Sequence, residues 1–83
     1  MDVKMAYGLI AKRYKDFKII RCFEYDTRFV FQIVPKDLDE SMYDQHLNGL
    51  KSVDKKSGFI QTFIPFDMPL EEYNNGQEIE EFK

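Results

Sequence analysis

The hydrophobic positions near the start of the chain repeat with the period of an α-helix. They are spaced i, i+3, i+4, i+7 and i+11 and therefore share one face: Val3, Ala6, Tyr7, Ile10 and Tyr14. Asp2 is the expected N-cap, because an aspartate there accepts hydrogen bonds from free backbone N–H groups of the first turn. Gly8 costs about 1 kcal/mol of helix propensity relative to alanine. A close approach of the helix to a sheet would explain a glycine at this position.

The period changes to two after this helix. Lys18–Tyr25 and Arg28–Val34 are rich in β-branched and aromatic residues, which predicts two strands. Asp26 and Thr27 form a tight link between them, although the link lacks the glycine that two-residue hairpin turns prefer. Pro35 ends the second strand, since proline has no N–H for a central ladder.

Alternation along these strands predicts which side chains face inward. On the second strand three large apolar residues share a face: Phe29, Phe31 and Ile33. On the first strand the inner face is expected to carry Ile19, Phe23 and Tyr25, with the charged Arg21 as an exception on the same face.

A second hairpin is predicted further along the chain. Its strands are Leu47–Val53 and Phe59–Ile64, and Pro65 stops the second of them. The intervening turn begins with Asp54, whose carboxylate can accept bonds from the next residues. It closes with Gly58, which can adopt a positive φ.

The remaining segments carry weaker signals. Residues 36–46 are polar and acidic, which predicts a loop that can include a helical turn. Pro69–Tyr73 is expected to form one short helical turn, with proline at its start. Residues 74–83 are expected to be a C-terminal tail, either frayed or docked through Ile79 and Phe82.

Together these elements predict an α+β fold. The expected architecture is a two-layer sandwich in which an N-terminal helix packs on a four-stranded antiparallel sheet of two hairpins. Residues 1–73 would form the single domain. Because the chain has more large apolar residues than one helix can cover, the other sheet face is expected to be partly covered or to meet a partner.

Composition is consistent with a small folded domain. The chain has 83 residues, of which 16% are aromatic and 43% hydrophobic. Cys22 is its single cysteine, so no intramolecular disulfide is possible. The start of the chain lacks the apolar run of a signal peptide. A soluble cytosolic protein is therefore expected, and no membrane association is expected.

Charge is distributed unevenly. Residues 1–36 contain eight Lys or Arg and four Asp or Glu, whereas residues 37–83 contain four and eleven. Such asymmetry can steer a charged partner or favour head-to-tail association. The simpler expectation is that the two halves neutralise each other in the fold.

Candidate chemistry is sparse. Nucleophilic catalysis needs a nucleophile beside an oriented base, but Cys22 is expected to be a packing residue and His46 is the only histidine. The best metal candidate is one acidic segment, which lacks the glycine and closing glutamate of a calcium loop: Asp37, Asp39, Glu40, Asp44 and His46. The chain has no glycine-rich nucleotide motif. We expect no catalytic residues, no metal, no cofactor and no enzymatic activity.

Nucleic-acid binding is a weaker alternative. Six cations in the first part of the chain could form a basic patch: Lys12, Arg13, Lys15, Lys18, Arg21 and Arg28. Tyr14 and Phe17 lie among them as possible stacking groups. The acidic pI of about 5.1 argues against a domain-wide basic footprint.

Three segments of the sequence resemble those of known proteins. They are RCFEYDTRFVFQIVPKD, GLKSVDKKSGFIQTFIPFDMP and EEYNNGQEI. Over residues 5–79 the chain resembles small uncharacterised proteins encoded by phages and prophages of Gram-positive bacteria. It is more loosely similar to YrhB-like immunity domains and PepSY-like domains. The resemblance implies an N-terminal helix followed by strands, and a binding or assembly role without family-defining site residues. It also implies a place in the cytoplasm of a host cell, with a place in a virion as the alternative.

These observations lead to one expected function and two alternatives. The expected function is a non-enzymatic protein-binding module of phage or prophage origin, which masks or bridges a partner protein. The expected contacts combine exposed aromatic and apolar residues with charge: Asp37, Asp39, Glu40, Tyr43, Phe66, Met68 and Tyr73. The alternatives are a homo-oligomeric structural or assembly protein of a virion and a nucleic-acid-associated protein that uses the basic patch.

Overall fold

A computed structural model describes residues 1–45, 49–64, 66 and 68–83. Its helices are α1 (Val3–Arg13) and α2 (Leu70–Asn74), together with a short 3-10 helix (Glu40–Gln45). Its strands, in chain order, are β1 (Phe17–Glu24), β2 (Arg28–Pro35), β3 (Leu50–Asp54), β4 (Ile60–Thr62) and β5 (Gln77–Ile79).

Helix α1 forms as its periodicity predicts. The Asp2 side chain accepts a hydrogen bond from the Met5 backbone N–H at 2.9 Å and caps the helix. Ala6 and Ile10 are buried against the sheet. The suggested role of Gly8 is wrong: this residue is exposed, and a Cβ atom added there would meet nothing within 4 Å.

The five strands form one antiparallel sheet in the order β4-β3-β2-β1-β5. The fold class predicted from the sequence is therefore right, but the expected four strands and two hairpins match only roughly. The fifth strand comes from the C-terminal stretch that was expected to be a tail. It pairs with β1, with Cys22 opposite Ile79 and Glu24 opposite Gln77.

A β-bulge in β1 corrects the predicted faces of that strand. Ile19 pairs with Ile33 and Arg21 pairs with Gln32, so that Ile20 is the extra residue. Because one inserted residue reverses the alternation, Ile19 faces α1 whereas Phe23 lies on the opposite face. The awkward position of Arg21 on an inner face is thereby removed.

The second hairpin has the predicted turn. The Asp54 carboxylate accepts bonds from the backbone N–H groups of Lys56 at 2.8 Å and Ser57 at 2.9 Å, and Gly58 has a φ of 74°. β3 runs from Leu50 to Asp54, and β4 is shorter than predicted, since it covers three residues. The expected start of β3 at Leu47 lies outside the described residues.

Apolar side chains cover both faces of the sheet. On the first face, α1 packs on the core of Phe29, Phe31, Ile33 and Val53, and Phe82 completes this layer. The second face carries a separate cluster of Tyr25, Val30, Phe63 and Met68, with Phe23 and Leu50 beside it. The segment after β4 therefore forms a thin, partial third layer.

Among the described helices, none has the length and apolar character needed to cross a membrane.

Candidate functional site

The second sheet face contains an aromatic groove. Its volume is about 210 Å³, and Gln32 and Leu50 lie among its lining residues. Four aromatic rings also line it, from β1, from the residue after β1, from the residue after β4 and from α2: Phe23, Tyr25, Phe63 and Tyr73. Large rings around a concave apolar surface are the usual composition of a recognition site.

Stacking of rings shapes one wall of this aromatic groove. Tyr25 lies between Phe63 and Tyr73, with centroid separations of 6.0 Å on each side and interplanar angles of 25° and 20°. Burial raises the pKa of the Tyr25 hydroxyl, and Tyr73 adds to the effect. Tyr25 therefore ionises only at a higher pH than an ordinary tyrosine.

A hydrogen-bonded contact holds α2 against the β1–β2 turn. The Glu72 carboxylate accepts hydrogen bonds from the Thr27 hydroxyl at 2.6 Å and from the Thr27 backbone N–H at 2.9 Å. These bonds, the hydroxyl bond first, hold the pKa of Glu72 below its ordinary value. Because Tyr73 follows Glu72 directly, the same contact fixes the ring that lines the groove.

Acidification is predicted to weaken the hydrogen bonds that the Asp54 and Glu72 carboxylates accept. The pKa of Asp54, like that of Glu72, is lowered in the folded protein, chiefly by the backbone hydrogen bond from Ser57. A carboxyl group whose pKa is lower in the folded protein than in the unfolded chain stabilises the fold at pH values above its ordinary pKa, which is 3.8 for Asp54 and 4.5 for Glu72. This stabilisation is lost as the pH falls through the lower folded-state pKa.

We therefore expect the free energy of unfolding to fall below about pH 4.5. Urea denaturation at pH 7, 4 and 3 measures this dependence. The variant carrying Asp54→Asn and Glu72→Gln should show a flatter dependence than wild type, and parallel curves would contradict the assignment.

A more polar groove adjoins the aromatic groove. Gln32 lines both, so that they form one continuous surface. The polar groove has a volume of about 350 Å³ and is lined by Arg21, Glu40 and Tyr43, among others. Arg21 Nε lies 3.9 Å from a carboxylate oxygen of Glu78 in an exposed ion pair.

The structure separates the predicted contact residues into three groups. Tyr43, Glu40 and Tyr73 line the two joined grooves. Phe66 is 96% exposed, whereas Met68 is 6% exposed and belongs to the second-face cluster, so its prediction as an exposed contact is wrong.

Asp37 and Asp39 are exposed and line neither groove. An Asp39 carboxylate oxygen accepts a hydrogen bond from the Ser41 backbone N–H at 3.1 Å, which is a local role at the start of the 3-10 helix. Among the described residues no group of three or more potential ligands could hold a metal ion. His46, from the metal and catalytic candidates, lies outside the described residues.

The sequence interpretation missed the main groove residues. Phe23 and Tyr25 were expected on an inner face and Phe63 was assigned only to the fourth strand, since a strand pattern does not tell which face a helix covers. The available signal was the surplus of aromatic side chains over what α1 can cover, combined with the unfavourable position of Arg21.

Cys22 is buried under α1 and is predicted to be unreactive. Burial raises the pKa of its thiol to about 12, and the nearby Glu24 carboxylate adds to the effect. We expect a disulfide reagent at pH 8 to label the native protein roughly a thousandfold more slowly than the unfolded one, since labelling requires unfolding. A Ser57→Cys variant, exposed on the hairpin turn, provides a fast-reacting control. Immediate labelling of the native wild type would contradict this burial.

Comparison with known protein families, curated proteins and solved structures finds no match to this chain. The resemblance to phage and prophage proteins therefore stays a prediction.

Proposed function

We propose that this domain is a non-enzymatic protein-binding module of phage or prophage origin, which masks or bridges a partner protein. The observation that supports the proposal is the aromatic groove on the second sheet face. It is open, and its stacked rings leave apolar surface facing outward. The proposed occupant is an apolar segment of another protein that inserts between Phe23 and Tyr73.

Exposed apolar residues near the groove support a macromolecular partner. Leu70 is 73% exposed on α2, which also carries Tyr73, and Phe66 is 96% exposed between the groove residue Phe63 and the buried Met68. A small-molecule site would be expected to enclose its ligand, whereas apolar residues outside the concavity extend the contact area. The charged Arg21 and Glu40 in the adjoining polar groove would form the rim of such an interface.

A paired set of variants tests this proposal. The double variant Phe66→Glu with Leu70→Glu replaces two apolar residues near the groove with charged ones. Because both positions are exposed, the fold should persist. Met5→Glu with Phe59→Glu makes the same change at two other exposed positions, 60% and 63% exposed. Affinity capture from phage-infected cells, followed by mass spectrometry, measures which proteins each version retains.

The expected result is a specific protein that wild type and the second variant retain and the first variant loses. If both variants lose the captured protein, or if neither loses it, the aromatic groove is not the binding site. Light scattering over a wide concentration range distinguishes the homo-oligomer alternative: a mass that doubles for wild type but not for the first variant would assign the groove to a second copy of this chain.

A further inference from the structure

A lysine-rich groove lies on the other side of the sheet, where α1 meets the beginning of β1. Its volume is about 270 Å³. Four lysines line it, from the α1–β1 connection, β1, the residue after β2 and the C-terminal stretch: Lys15, Lys18, Lys36 and Lys83. Tyr7 and Phe17 contribute rings to its walls, and none of its described lining residues is acidic.

The ion pairs of the described residues lie outside this groove. Within the described part of the chain, ion pairs join Arg21 to Glu78 and Lys55 to Glu24, and neither pair involves a lysine of the groove. The Lys18 ammonium is the one held in place, donating to the Leu38 carbonyl at 3.2 Å.

Further cations continue the surface beyond the lysine-rich groove. Lys12 and Arg13 occupy the last turn of α1. Arg13 and Lys51 each lie near the Tyr14 ring, at 5.9 Å and 5.4 Å from its centroid. The predicted basic patch is thus rearranged: Arg21 and Arg28 are elsewhere, and Lys36, Lys51 and Lys83 take their place.

We propose that the lysine-rich groove binds single-stranded nucleic acid. Lysine ammonium groups suit phosphates as point charges, and several of them around one groove match the repeated charges of a phosphodiester backbone. Phe17 is 38% exposed, and this exposed part of its ring could contact a base; the rest packs in a T-shaped arrangement against Tyr14, with centroids 6.1 Å apart. An acidic protein segment would satisfy the lysines but would bring no flat ring with each charge.

Binding of a fluorescein-labelled dT20 oligonucleotide, followed by fluorescence anisotropy, tests the proposal. The Lys18 ammonium is held by the Leu38 carbonyl and lies 4.9 Å from the Tyr43 ring centroid, so Lys15, Lys36 and Lys83 remain for phosphate contacts. If these three lysines contact three phosphates, affinity should fall about 18-fold between 50 mM and 200 mM salt, since each neutralised phosphate of a single strand contributes about 0.7 to the logarithmic slope. Absence of binding at 50 mM salt would overturn the proposal.

Matched variants locate the site. Lys15→Glu with Lys36→Glu should weaken dT20 binding at least 10-fold. Lys4→Glu with Lys56→Glu changes the net charge equally at two exposed lysines outside the groove and should change binding less than threefold. The milder Lys15→Gln with Lys36→Gln repeats the test if the first variant fails to fold.

An equal loss of dT20 affinity in the groove variant and the control variant would overturn the proposal. Poly-glutamate serves as the competing probe. Binding of poly-glutamate as tight as that of dT20, with the same dependence on Lys15 and Lys36, would instead assign the groove to an acidic protein segment. These outcomes are independent of the aromatic groove, whose variants are expected to leave dT20 binding unchanged.

Discussion

Phe82→Ala is expected to lower the free energy of unfolding by about 3 kcal/mol, although Phe82 lies outside the helices and strands. Its ring is 7% exposed and packs at 6.3 Å from the Phe31 ring and 5.9 Å from the Tyr7 ring, measured between centroids. Truncation would leave a cavity between α1 and the sheet. A site outside the helices and strands can collapse more readily than the sheet centre, which sets the value at the low end of the usual range.

Thermal unfolding and urea denaturation measure this change. For a domain of this size the expected loss corresponds to a fall of roughly 12 °C or more in Tm. Phe66→Ala is the matched control, because the same atoms are removed from a side chain that is 96% exposed. Its effect should be within about 0.5 kcal/mol. Equal effects of the two variants would show that the C-terminal stretch does not pack as described.

Gly76→Ala is expected to destabilise the protein by about 1–3 kcal/mol through overpacking. A Cβ atom at position 76 would lie 2.6 Å from Cδ1 and 2.8 Å from Cζ of Tyr25. The Tyr25 ring cannot move away easily, since Phe63 and Tyr73 stack on its two sides. Movement of this ring would also deform the aromatic groove, so partner binding should weaken together with stability.

Gly8→Ala is the matched control for that substitution. The position is exposed and helical, and the added methyl group meets nothing within 4 Å. We therefore expect it to raise stability by up to about 1 kcal/mol, through helix propensity alone. Urea denaturation should show a lower free energy of unfolding for Gly76→Ala and a higher one for Gly8→Ala. Stabilisation by Gly76→Ala would contradict the close packing against Tyr25.

Local signals in the sequence were sufficient for several elements. The period of α1, the Asp2 cap and the Asp54–Gly58 turn depend on neighbours within four residues, and each occurs as predicted. The alternation of Phe29, Phe31 and Ile33 likewise follows from a period of two without knowledge of the partner strands. The α+β class follows from the order of these elements.

Candidate-site residues were only partly predictable. Tyr73 and Tyr43 were identified as aromatic residues beside charge, and both line the joined grooves. Met68 had the same local character but is buried, because exposure depends on where the chain after β4 lies on the sheet. Phe23 required knowledge of the bulge before its face could be assigned.

Periodicity, capping and turn residues were enough to predict the helix, the central strands and the turn chemistry, and the uneven division of charge along the chain can be counted directly. Contacts between distant parts of the chain were needed to show that the C-terminal stretch forms a fifth strand and that the bulge at Ile20 turns Phe23 toward the second face. Tertiary structure also decided which lysines converge around the lysine-rich groove. Local elements depend on short-range periodicity and capping. Strand pairing, the sheet face on which a side chain lies and the clustering of the lysines depend on contacts between residues far apart in the chain.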